Sequence, residues 1–468
     1  MTLPEEFIKY TRELMGDSRF ESLVAGLTDA APVSIRLNPL KCDVANTVIT
    51  GKKGDVAWCP TGVYLNERPN FTFDPLLHAG TYYVQEASSM FVAHVLRQTV
   101  TGSVRMLDLC AAPGGKSTAC RTFLPEGSLL VSNEPVRTRA NILSENMQKF
   151  GHPDVIVTNN YPRDFRKSGL MFDIILADVP CSGEGMFRKD EGAISEWSVQ
   201  NVENCRRLQR EIVSDIWPCL KPGGLMIYST CTFNAHEDEE NAAWIAEELG
   251  ADFVEIAVSP EWNITGPLVG DNPSYRFLPG TSEGEGLFMT VLRKHGQHDT
   301  PAKASANKKQ NRKTDKTVSL PLTGSDDFET RERGDRLVAI PKEWADVYDA
   351  TAKSLNVIHA GITIGTRKGK DIVPDQSLAL STRLDRNRFA SVDIDYTQAI
   401  NFLRKEAVPL PDGTPKGFVL LTYKGMPLGF EKNIGNRANN LYPQEWKIKS
   451  QHIPEQNEII IKRNETIS

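Results

Sequence analysis

The chain has 468 residues and carries 54 basic against 60 acidic side chains, for a net charge of −6. At about 150 residues per domain, this length predicts roughly three domains. With 40% hydrophobic and 24% charged residues, the composition excludes a mostly disordered chain. The acidic total also argues against a protein that coats nucleic acid by bulk charge, although it leaves room for local basic patches.

The charge is unevenly distributed. Residues 1–299 hold 27 basic and 39 acidic side chains, whereas residues 331–468 hold 21 and 17, so the C-terminal part is the better place for phosphate contacts. No apolar run reaches the ~18 residues of a membrane span. The acidic N-terminus lacks an apolar signal region, so we expect a cytoplasmic protein without membrane contact. Eight cysteines without a Cys-x-x-Cys pair predict reduced thiols and no metal site.

The first 75 residues predict a short helical start followed by a mixed segment. From residue 104 to 295, apolar strand-like runs alternate with helix-like runs; the strands are expected at 104–109, 128–134, 154–158, 172–178 and 224–230, with helices at 137–150 and 202–220. This alternation predicts a doubly wound parallel sheet, which binds ligands at the carboxyl ends of its strands. Residues 331–468 contain short β-like runs, most clearly at 417–423.

A turn of small residues at 108–117 follows the first of these strands and opens a helix. It is not a Walker A loop, because Cys110 occupies the position of the required glycine, and it also lacks the dinucleotide Gly-x-Gly-x-x-Gly pattern. Such a turn lets backbone pass close to a ligand. Glu134 ends the next strand, 26 residues after Asp108, where an acid can accept both ribose hydroxyls. A nucleoside without phosphates fits best, with S-adenosylmethionine as the candidate; the alternative is an ordinary strand-to-helix turn with an incidental acid.

Two cysteines follow the fourth and fifth strands. Cys181 lies in the run 178–185 and Cys231 in the run 228–233, so both are expected at the edge where the cofactor binds. A lone cysteine is usually a small buried hydrophobe. Two thiols beside a methyl donor, one with Asp178 close by, favour chemistry instead: a thiolate adding to C6 of cytosine activates C5 for methylation, and a base then removes the C5 proton. The target base must leave its stack to react.

Together these motifs resemble the NOP2/Sun family of RNA (cytosine-C5)-methyltransferases over roughly residues 30–295. The resemblance implies that Cys231 is the nucleophile, that Cys181 assists product release and that Asp178 lies where cofactor and base meet. It implies S-adenosylmethionine contacts from Cys110, Ala111, Ala112, Pro113, Gly114, Gly115, Lys116, Glu134 and Asp178. The family usually has an acid after the third strand that holds the adenine amine of the cofactor, and the nearest match here is the neutral Asn160. The family also often has alanine at the position of Val179.

Residues 34–41 resemble the family's N-terminal RNA-recognition segment, and residues 82–90 resemble the segment that leads into its catalytic domain. Residues 185–190 and 276–279 resemble the bacterial branch that modifies small-subunit ribosomal RNA, the RsmF type, although Gly280 stands where that branch usually has histidine. The C-terminal runs 378–380, 426–430 and 439–443 resemble its PUA-like RNA-binding module. A small β domain for protein contacts is the alternative there. Candidate phosphate contacts are Arg36, Arg188, Lys189, Lys432 and Arg437.

The expected fold is therefore an α/β, Rossmann-like S-adenosylmethionine-dependent methyltransferase sheet with small flanking domains. We expect an N-terminal α+β RNA-recognition segment at 1–75, the catalytic domain at 76–295, a basic linker at 296–330 and a PUA-like domain at 331–468. The expected function is cytosine-C5 methylation of 16S ribosomal RNA by a monomer, with ribosomal RNA or the small ribosomal subunit as partner. The alternatives are a transfer RNA cytosine-C5 methyltransferase and a non-catalytic RNA-binding assembly factor.

Overall fold

A computed structural model describes residues 1–296, 319–450, 453–454 and 460–463. The N-terminal region confirms the predicted helical start, since buried side chains recur one turn apart on the first helix at Phe7, Thr11 and Met15. The elements of this region are α1 (Glu5–Met15), α2 (Asp17–Thr28), β1 (Val33–Leu37), β2 (Thr47–Ile49), β3 (Lys52–Asp55), β4 (Gly62–Leu65), α3 (Pro75–His78) and β5 (Tyr82–Val84). Four of the strands form a sheet with the order β3-β4-β1-β5.

The central region contains the predicted doubly wound sheet. Its elements are α4 (Phe91–Thr99), β6 (Arg105–Asp108), α5 (Gly115–Phe123), β7 (Leu129–Asn133), α6 (Arg137–Phe150), β8 (Val155–Thr158), α7 (Pro162–Ser168), β9 (Phe172–Asp178), α8 (Glu191–Glu196), α9 (Val199–Ile216), β10 (Leu220–Thr230), α10 (Glu239–Leu249), β11 (Ala251–Phe253), β12 (Tyr275–Phe277) and β13 (Leu287–Lys294). Strands β10-β9-β6-β7-β8 are parallel neighbours in that order, and β13 adds antiparallel to β10. All five predicted strands are thus present.

The predicted helix at 202–220 differs from the structure at both ends. Helix α9 begins three residues earlier, where the hydroxyl of Ser198 accepts a hydrogen bond from the Asn201 amide and caps the helix. It ends at Ile216 because Pro218 follows and lies in a short 3₁₀ turn. Strand β10 correspondingly begins at Leu220 rather than at 224.

The C-terminal region is rich in strands but also contributes to the central sheet. Its elements are β14 (Phe328–Arg333), β15 (Arg336–Pro341), α11 (Ala345–Ser354), β16 (Val357–Ala360), β17 (Ile362–Lys368), β18 (Asp371–Pro374), α12 (Gln376–Leu380), β19 (Ala390–Asp393), α13 (Tyr396–Leu403), β20 (Gly417–Tyr423), β21 (Met426–Asn433), β22 (Ala438–Asn440) and β23 (Ile461–Arg463). Two sheets form here, in the orders β14-β15-β17-β18 and β19-β20-β21-β22.

Two strand pairings tie the regions together. Strand β16 pairs antiparallel with β8 at the edge of the central sheet, and β23 pairs with β2 of the N-terminal region. Of the linker predicted at 296–330, residues 297–318 lie outside the described residues, and β14 already begins at Phe328. The expected domain boundaries therefore stay predictions. Among the residues described, no helix has the length and apolar character needed to cross a membrane.

The N-terminal region is docked directly against the central region. Asn38 donates to the backbone carbonyl of Phe150 at 3.0 Å, and Lys41 donates to that of Lys149 at 2.6 Å. Helix α2 packs so closely on residues 279–280 that a Cβ on Gly280 would lie 2.0 Å from the carbonyl oxygen of Ser22. Gly280 also has φ = +83°, which disfavours other residues. Both features require glycine at this position of the chain.

Candidate active site

The small-residue turn forms one wall of a cavity at the carboxyl end of β6. Gly114 has φ = +116° and precedes the first residue of α5, which allows the chain to reverse tightly into the helix. The cavity has a volume of about 200 Å³. Its lining includes predicted cofactor residues and side chains from the segment after β5: Tyr83, Val84, Gln85, Glu86, Ser89, Asp108, Cys110, Ala111, Ala112, Pro113, Gly115, Lys116 and Asp178.

Three acidic residues and one lysine line this cavity: Glu86, Asp108, Asp178 and Lys116. Asp178 accepts hydrogen bonds from Lys116 Nζ at 2.8 Å and from Ser229 Oγ at 2.7 Å. Burial alone lowers the pKa of Lys116, but the carboxylate of Asp178 outweighs it, so the pKa is raised and the lysine stays charged. Burial raises the pKa of Asp108 to about 7, even though Ser117 donates to it at 2.6 Å.

The acid predicted to hold a ribose is buried at the end of the neighbouring strand. One carboxylate oxygen of Glu134 accepts a hydrogen bond from the backbone amide of Val136 at 3.0 Å. The other, Oε2, lies 3.3 Å from Arg139 Nη1 and accepts no hydrogen bond within the described chain. This oxygen is therefore a buried acceptor without a hydrogen-bond donor in the described chain, and Glu134 is not among the residues that line the cavity.

Asn160 has a different environment from the one expected of an adenine contact. Its side-chain oxygen accepts a hydrogen bond at 2.9 Å from the backbone amide of Asn356, which directly precedes β16. Its backbone N–H donates to the side-chain oxygen of Asn133 at 3.0 Å. The side-chain oxygen of Asn160 therefore joins the C-terminal region to the central sheet.

The two cysteines predicted to share the site lie side by side. Strands β9 and β10 are parallel neighbours with Asp178 opposite Ser229, so the loops after them start together. The Sγ atoms of Cys181 and Cys231 are 3.0 Å apart, and both residues are partly exposed. The hydrogen bond with Cys231, followed by burial, raises the pKa of Cys181 well above its ordinary value. Burial likewise raises the pKa of Cys110, so that thiol stays protonated and unreactive.

Known proteins resemble the chain along almost its whole length. A family model described as 16S rRNA methyltransferase RsmB/F matches residues 97–293; models for the N-terminal domain of 16S rRNA methyltransferase RsmF and for the RsmF PUA domain match 3–87 and 389–448. The ribosomal RNA small subunit methyltransferase F of Serratia proteamaculans is 30% identical over 474 residues, covering 95% of this chain and 96% of that protein. The chain belongs to the RsmF family of 16S rRNA methyltransferases.

A second relative supports membership of the RsmF family, and two solved structures share the fold. The protein of the same name from Photobacterium profundum is 27% identical, covering 95% of this chain and 97% of that protein. NSun6 from Pyrococcus horikoshii with SFG has a TM-score of 0.53 at 18% identity, covering 63% of this chain and 99% of that one. A methyltransferase homolog protein from P. horikoshii has a TM-score of 0.53 at 23% identity, covering 62% and 95%. The predicted methyltransferase fold and family are confirmed.

Not every residue predicted to bind RNA is exposed in this RsmF family member. Arg36 is 1% exposed, and its guanidinium donates to Gln85, Thr118 and Thr122. The phosphate contact expected of Arg36 is therefore wrong: the residue docks β1 on helix α5. Its burial without an acidic partner lowers its pKa.

Arg188 is likewise a structural residue. Its side chain is 7% exposed, pairs with Glu285 at 2.7 Å and donates to the backbone carbonyl of Gly26 in α2 at 2.9 Å. The expected phosphate contact is again wrong, because the charge is already neutralised in the interior. Lys189 is more open but also pairs with Glu285, at 3.0 Å. Arg437 is exposed and Lys432 is partly exposed, so both stay candidates for phosphate contact.

Sequence reasoning also misses residues of the site. The segment at 83–89 resembles only a lead-in to the catalytic domain, yet it forms one side of the cavity. Asp108 marks the start of the turn in the sequence but is not among the predicted contacts. Two buried glutamates, Glu184 and Glu237, accept hydrogen bonds from the loops that carry Cys231 and Cys181. The only feature of the sequence that points to Glu184 is its position in the motif at 178–185.

Within the described residues, no group of three or more His, Cys, Asp or Glu side chains is arranged to hold a metal ion.

Proposed function

We propose that the protein transfers a methyl group from S-adenosylmethionine to C5 of a cytosine in 16S ribosomal RNA, through a covalent bond between Cys231 and C6. The observation that carries this proposal is the 3.0 Å contact between the thiols of Cys181 and Cys231 beside Asp178. Two relatives over 95% of the chain bear the name ribosomal RNA small subunit methyltransferase F, which favours 16S RNA over transfer RNA. The reaction then belongs in the cytoplasm, with the RNA or the small subunit as partner.

The residues around the cavity fit S-adenosylmethionine. Asp108 Oδ1 and Glu134 Oε2 are buried oxygens without a hydrogen-bond donor in the described chain, and such groups need a ligand donor to offset their desolvation. The lining holds acids and one lysine that is already paired, which suits a cationic amino acid and ribose hydroxyls better than phosphates. Glu134, Asp108, Asp178 and the 110–116 turn would hold the cofactor. When bound, it supplies the methyl group.

The chemistry of the chain itself starts with Cys231. Since its raised pKa keeps Cys181 protonated, Cys231 is the thiol of the pair that we assign to the attack. Its thiol loses its proton to water, and the thiolate attacks C6 and pushes electrons toward C5. We assign the polar edge of the base to Asp178, which precedes Cys181 by three residues. After C5 is methylated, removal of its proton returns the electron pair to the ring and expels the Cys231 thiolate.

The same geometry assigns a base for the C5 proton. The largest cause of the raised pKa of Cys181 is its hydrogen bond with Cys231. Once Sγ of Cys231 is bonded to carbon, that cause is removed and the pKa of Cys181 falls. Cys181 can then lose its proton to water and, as a thiolate, take the C5 proton. The two thiols thus act in sequence: Cys231 attacks first, and Cys181 takes the C5 proton afterwards.

Transfer of labelled methyl groups to purified RNA tests the proposal. We expect 16S RNA or small subunits to accept label, with the product located by bisulfite sequencing, and Cys231→Ser to lose transfer by at least about 1000-fold. We expect Cys181→Ser to accumulate a protein–RNA adduct that resists denaturant. If only transfer RNA becomes labelled, the protein is a transfer RNA cytosine-C5 methyltransferase. If the intact protein binds RNA without any methyl transfer, it is a non-catalytic assembly factor.

A further inference from the structure

Two buried glutamates connect the loops that carry the cysteines. Glu184 follows Cys181 by three residues, and Glu237 follows Cys231 by six. Both side chains belong to fully buried residues. Each carboxylate accepts hydrogen bonds from the loop of the other cysteine, so the connection is reciprocal.

Glu184 holds the residues directly after Cys231. Its Oε2 atom accepts hydrogen bonds from Thr232 Oγ1 and the Phe233 amide, both at 2.6 Å, and from the Asn234 amide at 3.0 Å. Its Oε1 atom accepts from Asn234 Nδ2 at 3.0 Å and from Trp197 Nε1 at 2.9 Å. One carboxylate therefore receives five donors, four of them from the three residues that follow the proposed nucleophile.

Glu237 completes the connection from the other side. Its Oε2 accepts from the backbone amide of Ser182 at 3.0 Å and from Gln209 Nε2 at 2.7 Å. Its Oε1 accepts from Asn234 Nδ2 at 2.9 Å, so Asn234 bridges the two glutamates. A backbone hydrogen bond from Gly185 to the carbonyl of Cys231, at 2.7 Å, adds a direct link between the loops.

We propose that Glu184 and Glu237, bridged by Asn234, are positioning residues that hold the sulfur of Cys181 against that of Cys231. We call this set the glutamate clasp; it deepens the proposed function and rests on it. Methylation by two thiols needs both sulfurs at the C5–C6 edge of one base, and a misplacement of about 1 Å can slow a reaction about 100-fold. Since both thiols sit on loops, their spacing depends on what holds the loops together.

The donors around Glu184 show why a carboxylate is required. All five groups that approach it donate hydrogen bonds, and a carboxylate only accepts. Glutamine has the same shape but offers one acceptor oxygen and an NH₂ group. Whichever way its amide is turned, the NH₂ faces at least two donors that lose their acceptor. Glu184→Gln therefore loosens the clasp with minimal change in volume.

A chemical measurement of thiol proximity tests the clasp without RNA or cofactor. Diamide oxidises two neighbouring thiols to a disulfide and is itself reduced to the hydrazine by two electrons and two protons. In the wild-type protein we expect fast formation of the 181–231 disulfide, identified by peptide mass mapping after acid quench. In Glu184→Gln and in Glu237→Gln we expect formation at least about 10-fold slower. A matched control is Asp349→Asn. This variant removes a carboxylate of helix α11 that pairs with Arg331 and lies outside both cysteine loops.

The same variants are then compared in methyl transfer. We expect kcat to fall about 100-fold in each glutamine variant while KM for RNA stays within about threefold, since no RNA contact is removed. We expect the double variant to be no slower than the slower single variant, because both break one connection. Asp349→Asn should keep wild-type kcat and the wild-type rate of disulfide formation.

The outcomes separate the clasp from the proposed function. Wild-type disulfide rates in both folded glutamine variants overturn the clasp, as do wild-type kcat values. If Glu184→Gln does not fold, Glu237→Gln decides alone. If the wild-type protein methylates no RNA, the proposed function fails, while the diamide rates still decide whether the glutamates set the spacing of the thiols.

Discussion

Replacing Arg276 by methionine tests the buried ion cluster next to the loop that carries Cys231. Arg276 is completely buried; its Nη1 lies 2.9 Å from Asp238 Oδ2, its Nε donates to Glu239 at 2.8 Å, and its Nη2 also pairs with Glu239. It donates as well to the carbonyl of Phe233, two residues after Cys231, at 3.1 Å. Methionine keeps most of the volume but leaves two buried carboxylates without a cation.

The expected loss of unfolding free energy is about 3–5 kcal/mol, the cost of removing one partner from a buried ion pair. A matched control is Arg367→Met, because Arg367 pairs with Glu332 at 2.9 Å while both side chains are more than half exposed. An exposed pair of this kind contributes about 0–1 kcal/mol. Urea unfolding followed by circular dichroism measures both variants against the wild-type protein.

The pH dependence supplies a second criterion. Burial already raises the pKa of Asp238 well above its ordinary value, and loss of the Arg276 charge raises it further. A carboxyl group whose pKa is higher in the folded state than in the unfolded state binds a proton more readily when folded. Stability therefore falls as pH rises from about 4 toward the folded pKa. The loss of unfolding free energy in Arg276→Met should be larger at pH 8 than at pH 5. A loss equal to that in Arg367→Met, or a loss that does not change with pH, would refute the reasoning.

Three further predictions concern other parts of the molecule. Burial raises the pKa of Glu431 to about 7, so the free energy of unfolding falls as the pH rises from about 4.5 to 7. Glu431→Gln should therefore stabilise the protein by about 1–2 kcal/mol at pH 8 but not at pH 4.5, which urea unfolding at each pH measures. Gly280→Ala should cost at least about 2 kcal/mol in urea unfolding, because its Cβ would lie 2.0 Å from the Ser22 carbonyl at positive φ. Replacing Lys432 and Arg437 together by glutamine should reduce the slope of log affinity for RNA against log salt by about 1–2 in a binding titration. An unchanged pH profile, unfolding midpoint or slope would contradict the respective prediction.

The catalytic sheet was predictable because its signals are local. Strand β9 spans Phe172–Asp178 and helix α6 spans Arg137–Phe150, the ranges expected from the apolar runs. The proximity of Cys181 and Cys231 followed from a general property: parallel strands carry the residues after them to one edge, and β9 and β10 are neighbours.

The burial of charged residues could not be predicted in the same way. Arg188 was expected at the surface, but its partner Glu285 lies 97 positions further along the chain. Arg36 is held by α5 through contacts more than 80 residues away. The entry of β16 into the central sheet also depends on a pairing with β8 that is remote in sequence. Such contacts are set by tertiary packing, which a single sequence does not display.

The covalent step is tested most directly with an RNA substrate that carries 5-fluorocytosine at the target position. Fluorine at C5 cannot be removed by a base, so the reaction stops while the enzyme is bonded to C6. Mass spectrometry of the denatured adduct should find RNA attached to Cys231, and Cys181→Ser should still form it. RNA attached to Cys181, or an adduct that persists in Cys231→Ser, would contradict the assignment of the two thiols.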